Sequence, residues 1–190
     1  INVFIVIMFF SQIVIAQNIQ IDTIQANNDF EKAQELYSNK NYDSTLIYYN
    51  SASIIYEKYG LWEKYLESER NYGVTYSKIH SNDSAIKIIK HALFKTQNYI
   101  DKNNVFIAKA YYSIGVRYMY ENQLDSSLSY YYEALQIRKN IYGEKHKDVA
   151  QSYHNIGNIY RYKSNYDKAL VYHTKALGIR KDVFGEKHYK

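Results

Sequence analysis

Val105 to His188 is one segment written twice, and that repetition limits the fold more than any other feature of the chain. Val105–His146 lies over Lys147–His188 without a gap, so Ala108/Ala150, Tyr111/Tyr153, Ile114/Ile156, Gly115/Gly157, Tyr118/Tyr160 and Asp125/Asp167 coincide. Leu128/Leu170, Ala134/Ala176, Leu135/Leu177 and the tripeptides Ile137-Arg138-Lys139 and Ile179-Arg180-Lys181 fall into step as well. The period, Val105 to Lys147, is 42 residues. A fixed period of this size means stacked supersecondary units that bury their apolar faces only against one another.

Each copy reads as two helices. In the second, Tyr153, Ile156, Gly157 and Tyr160 follow the i, i+3, i+4, i+7 spacing of one helical face. Asn165 can cap a new helix, with Asp167 in its first turn where the dipole favours negative charge. That helix is expected to carry Ala169, Leu170, His173, Ala176 and Leu177 on its inner face and Arg180 and Lys181 near its end. Gly185, like Gly143 one period earlier, can close the helix in a left-handed conformation without steric cost. Small residues at Gly115, Gly157, Ala134 and Ala176 allow close approach of backbones, and the rings of Tyr111, Tyr153, Tyr118 and Tyr160 fill the remaining space.

More diverged copies precede these two. One period before the third unit stand Gly73, Tyr76, Asp83, Ile86, Ala92 and Leu93; before that the step shortens to 40, as Asp43/Asp83 and Ala52/Ala92 show. The first unit keeps Ala33, Leu36, Leu46, Tyr49 and Ala52, but Lys32 stands where Ile156 stands in the last. An atypical terminal unit is what a stack needs, because its outer face meets water. Four hairpins are therefore expected over 27–184, at about 27–62, 63–104, 105–146 and 147–184, with 185–190 as the start of a truncated further repeat. That abrupt end, and a start without Met, read as a piece of a longer protein.

Residues 1–16 are almost wholly apolar and end in Val14-Ile15-Ala16, which resembles a secretory signal peptide. Sixteen residues is short for a membrane span, which needs ~20. An exported, periplasmic or extracellular chain is the expectation, with a polar linker over 17–26 and no membrane span in the mature segment; an uncleaved anchor is the alternative. Proline and cysteine are absent, so disulfides, thiolate metal sites and lipoprotein acylation are excluded.

No sequence pattern of catalysis is present: no Gly-x-Ser-x-Gly elbow, phosphate-binding glycine loop or cysteine nucleophile. His146 and His188 recur with the period and so belong to the inter-repeat connection, while His154 and His173 lack a His-Glu-x-x-His partner. No cofactor or metal is expected. Asn82-Asp83-Ser84 and Asp43-Ser44-Thr45 match glycosylation-type sites, but both lie where a helix must be capped, and capping is the simpler reading. The formal charge of +5 is spread along the chain without a basic stripe, so nucleic acid is not an expected partner.

Tyr153, Ile156-Gly157, Tyr160, Ala169, His173 and Ala176, and in the previous copy Tyr111, Ile114-Gly115, Tyr118, Ser127, Tyr131 and Ala134, resemble the tetratricopeptide repeats. The 42-residue period and the Phe/Tyr-Gly-Glu-Lys-His connection are similar to the kinesin-light-chain subclass, abundant in exported proteins of Bacteroidetes-type bacteria. That subclass usually has Pro after Glu-x-His; Lys147 and Tyr189 stand there instead, which fixes each helix start less sharply. The resemblance implies an all-α, right-handed α-solenoid of antiparallel helix pairs, whose first helices line a concave groove for a peptide or partner protein. It places Arg70, Asn71, Lys78, Lys109, Tyr112, Ser113, Val116, Tyr120, Gln151, His154, Asn155, Asn158, Arg161 and Tyr162 in that groove. The expected function is a non-catalytic protein-interaction scaffold. The alternative is a sensory or regulatory arm of a longer signalling protein, since similar exported arrays precede histidine-kinase or caspase-like peptidase modules.

Overall fold

The computed structural model describes residues 3–185, so Ile1 and Asn2 of the expected signal and 186–190 of the expected further repeat lie outside it. Among the described residues there are eight helices and no strand: α1 Val3–Ser38, α2 Tyr42–Lys58, α3 Trp62–Ile79, α4 Asn82–Thr96, α5 Val105–Tyr120, α6 Leu124–Tyr142, α7 Lys147–Tyr162 and α8 Tyr166–Phe184. They pack in sequence order as an α-solenoid of antiparallel pairs: α1 on α2, α3 on α4, α5 on α6 and α7 on α8. Residues 17–26, expected as a linker, lie inside α1. No described helix is long and apolar enough to cross a membrane.

Side-chain caps set most of the helix starts. Asn41, Ser81, Asn104, His146 and Asn165 each accept a backbone N–H of the following first turn. The capping residues at the two glycosylation-type sites are thus Asn41 and Ser81, just before the acidic residues, and Asp43 and Asp83 sit in the first turns. His146 is a structural residue of the connection: its Nδ1 accepts the Asp148 N–H (3.2 Å), and its ring stacks on Tyr142. It supplies part of the definition that a proline would have supplied. Gly143 and Gly185 take φ of +76° and +77° and end α6 and α8.

In the second, third and fourth units the two helices cross at a glycine, where the first unit has Ala33. A Cβ on Gly73 would stand 2.8 Å from Ile89 and 3.2 Å from the Ala85 carbonyl; one on Gly115 would stand 2.8 Å from the Tyr131 ring and 3.3 Å from the Ser127 carbonyl. At Gly157 the obstacle is the His173 ring, 2.9 Å away. Around these crossings lie two core clusters, one with the fully buried Leu66, Ile89 and Ile114 and the other with the fully buried Tyr131, Ile156 and Ile159.

Tyrosine fills the rest. The Tyr160 and Tyr172 rings stack 5.5 Å apart, and the Tyr132 hydroxyl reaches both of theirs, at 3.2 and 2.8 Å. Lys175 lies over Tyr153 and Tyr172 and Lys168 over Tyr160, so these rings also carry cation contacts at the surface. The inner-face expectation for α8 needs correcting. Ala169 and Ala176 are buried against α7, but Leu170 and Leu177 are exposed, because their positions in α6 are covered by the next unit and not by their own hairpin.

Two of these crossings, and Gly178, which lies at no crossing, give graded expectations for alanine. Gly115→Ala should lower stability by ~1–3 kcal/mol, since Tyr131 is fully buried and cannot yield. Gly157→Ala should be nearly neutral, because the half-buried His173 ring can swing aside while helix propensity improves. Gly178→Ala, where nothing lies within 4 Å, should stabilise by ~0.5–1 kcal/mol. Urea unfolding followed by far-ultraviolet circular dichroism measures all three.

Candidate functional site

The first helices of the units stand side by side, and polar pairs about one period apart tie them together. Lys109 of α5 donates to Glu67 of α3 (2.8 Å), and Asn155 Nδ2 of α7 donates to the Tyr112 hydroxyl of α5 (2.9 Å). Gln151 Nε2 donates to Asn155 Oδ1 (3.0 Å), so Asn155 is held from two sides. Arg70 reaches Asn71 Oδ1 (2.7 Å) and lies 3.9 Å from Glu67. These contacts orient the wall before any ligand arrives.

Between α3 and α5 the wall opens into a recess of about 430 Å³ lined by Arg70, Val74, Lys109, Tyr112, Ser113, Val116, Arg117 and Arg138. Four of the eight are cationic and none is acidic. Arg138 enters from α6: it sits 4.7 Å from the Tyr112 ring and donates to the Asp148 carbonyl (3.0 Å) and Ser152 Oγ (2.8 Å) of α7. Arg117 bonds Ser77 Oγ of α3 and leans on the Tyr120 ring. Burial works against the charged form of Arg70, Arg117 and Arg138 and pushes each pKa down, although a guanidinium stays protonated. The Nε atoms of Arg70 and Arg117 are buried without a partner. A wall of this kind holds positive charge that is only partly compensated, and an anionic group is the chemistry that completes it.

Of the residues expected in the groove, Arg70, Lys109, Tyr112, Ser113 and Val116 line this recess. Asn71 and Asn155 brace it through Arg70 and Tyr112. Lys78, Tyr120, Asn158 and Arg161 do not line it; Lys78 and Tyr120 are exposed, and Arg161 lies out in solvent over Tyr162. His154 faces α8 instead, its ring 5.1 Å from His173. No group of three or more metal-binding side chains occurs among the described residues. Glu67, Arg117 and Arg138 escaped the sequence reading. Arg138 could have been found, because an arginine repeated in both Ile-Arg-Lys tripeptides does more than complement a helix end. Arg117 also left a signal: it occupies the position of the buried Thr75 and Ile159 one period to either side.

The family comparison now has a geometry to explain. Residues 106–182 match the tetratricopeptide repeat family. This segment is a tetratricopeptide repeat array. A search of curated protein sequences returns no match. Among solved structures, the fold is similar to BtubC (BKLC) from P. vanneervenii, with a TM-score of 0.73 and 22% identity over 84% of this chain and 65% of that one. It is similar to the apo form of RapI (TM-score 0.73, 17% identity, 85% of this chain and 44% of that one). A putative kinesin light chain of Podosopora anserina with nearly identical TPR-like repeats gives a TM-score of 0.68 at 12% identity, covering 82% of this chain and 75% of that one. The chain thus spans less than two thirds of the first two structures, and the likeness carries the solenoid fold beyond the repeats matched in sequence.

The pair of histidines in the last repeat makes stability depend on pH. Burial first, then Arg180, His173 and Arg161, hold the His154 imidazole below its ordinary value of 6.5. The unfolded chain therefore binds a proton there more readily than the folded one, and stability is lost as pH falls through the ordinary histidine range. Urea midpoints measured from about pH 7.5 down to about pH 5 should drop, and His154→Gln should flatten that drop.

Proposed function

We propose that this chain is a non-catalytic interaction module whose wall of first helices binds an acidic, extended peptide segment of a partner protein. One observation carries the reading: the recess between α3 and α5 presents four cations against the single neighbouring carboxylate of Glu67, with the Nε atoms of Arg70 and Arg117 buried and unpartnered. A carboxylate entering there would satisfy buried donors that water reaches poorly, and charge-assisted bonds to guanidinium are the strong ones. Tyr112, braced by Asn155, offers a ring edge and a hydroxyl beside the charges, suited to a peptide backbone. Val74 and Val116 supply the apolar floor that an extended chain needs for its side chains. The apolar run Ile1–Ala16 supports a place outside the cytoplasm for this interaction.

Fluorescence anisotropy with a labelled glutamate-rich peptide tests the proposal against a lysine-rich peptide of the same length. The acidic peptide should bind, and its affinity should fall as salt rises. Lys109→Gln, at the half-exposed edge of the recess, should weaken it about tenfold, the size of one charge-assisted hydrogen bond. Equal affinity for both peptides, or an affinity indifferent to Lys109, would remove the recess as the binding site.

A further inference from the structure

Three of the four cations in the α3–α5 recess break the repeat. Arg70, Lys109 and Arg117 stand where Tyr112, Gln151 and Ile159 stand one period later, and only Arg138 recurs, as Arg180. Stacking of the units therefore does not require the three. Arg117, itself only 7% exposed, takes a position that is fully buried as Thr75 and Ile159 in the units to either side. A charge placed where the other units have a hydroxyl or an alkyl chain costs the fold stability unless an anion shares the space. The charge is also larger than one carboxylate can match. Four positive groups face Glu67, which bonds Lys109 (2.8 Å) and lies 3.9 Å from Arg70, so three charges stay uncompensated. Each guanidinium commits one terminal nitrogen to the surrounding structure: Arg70 Nη2 to Asn71, Arg117 Nη1 to Ser77, and Arg138 Nη1 to the Asp148 carbonyl and Ser152. The other terminal nitrogen of each has no partner among the described residues and is open to solvent, unlike the buried Nε atoms of Arg70 and Arg117.

We propose that the recess receives a phosphate monoester carried by the bound peptide, that is, a phosphorylated side chain; this rests on the peptide-binding reading above. An extended peptide turns alternate side chains to one face, with about 7 Å between them, so the recess takes the charge of one residue at a time. A carboxylate brings one charge and two oxygens. A phosphate monoester brings nearly two charges and three terminal oxygens, one for each guanidinium that has a terminal nitrogen to spare. Arginine is also the side chain whose planar fork matches phosphate in two bonds at once. Lys109 lies in the same wall as a further donor, and the Tyr112 hydroxyl, which accepts from Asn155, keeps its own proton to donate. A phosphodiester of a nucleic acid carries a single charge and two free oxygens, and so fills the recess no better than a carboxylate.

Fluorescence anisotropy on the full chain decides the matter, with three labelled peptides of one acidic sequence that differ only at a central residue: serine, glutamate or phosphoserine. The phosphoserine peptide should bind about tenfold more tightly than the glutamate peptide, and the serine peptide most weakly. Arg117→Lys and Arg70→Lys keep the charge and remove the fork, and each should bring the ratio of phosphoserine to glutamate affinity close to one. The ratio is the readout because partial unfolding of a variant weakens both peptides equally and leaves it unchanged. Equal affinity of the intact chain for the glutamate and phosphoserine peptides overturns the proposal and leaves the acidic-peptide reading standing; failure of all three peptides to bind overturns both. A phosphoserine preference that survives both lysine variants also overturns it, as does single-stranded oligothymidylate that displaces the phosphopeptide as well as unlabelled phosphopeptide does at the same phosphate concentration.

Discussion

The structure depends on the second helices α2, α4 and α6 each being covered twice: by the first helix of their own hairpin and by the first helix of the next. Ala134 and Tyr131 of α6 face α5, while Leu128 and Leu135 face α7, and neither contact alone would dry the helix. Stability in such an array is approximately a sum of unit and neighbour terms. A change at one glycine crossing is therefore felt chiefly by the unit that contains it and its immediate neighbours. The crossing itself works because glycine lets the ring or branched side chain of the partner helix lie directly on backbone.

The unusual tyrosine content follows from the same constraint. A repeat built on small crossing residues leaves wide gaps, and many of the 24 tyrosines, such as Tyr49, Tyr56, Tyr65 and Tyr131, fill them with rings. Burial raises several of these phenols well above their ordinary range, Tyr49 and Tyr56 to about 12, so they remain neutral donors throughout. Aromatic faces also take the guanidinium groups packed against them, as Arg138 over the Tyr112 ring shows. Arginine buried in this way is costly unless something anionic shares the space, and in the α3–α5 recess Glu67 neighbours Arg70 and Lys109 while Arg117 and Arg138 bond neutral oxygens.

The repeat, its hairpins and its glycine crossings were legible because a gapless period exposes them without any knowledge of the fold: Gly115 over Gly157 and Tyr118 over Tyr160 already imply helices that meet in register. The site was legible only in part. Arg70, Lys109 and Tyr112 could be placed by counting from the repeat glycine, but His154 could not, since its neighbour His173 turns it toward α8. Arg117 and Arg138 were hidden because long side chains reach beyond their own helix, and a position count follows backbones only.

The sequence by itself determined the period, the pairing of helices and the residues at their crossings, because these are local spacing and steric size repeated along the chain. It also marked the first unit as atypical, through Lys32 in the place of Ile156. Only the tertiary structure decided which leucines are buried, since Leu128 and Leu170 hold the same repeat position and Leu128 packs in the core with residues of α7 while Leu170 is exposed. It decided, too, where the positive charge converges, because Arg70, Lys109, Arg117 and Arg138 come from three helices and share one recess only after those helices stack.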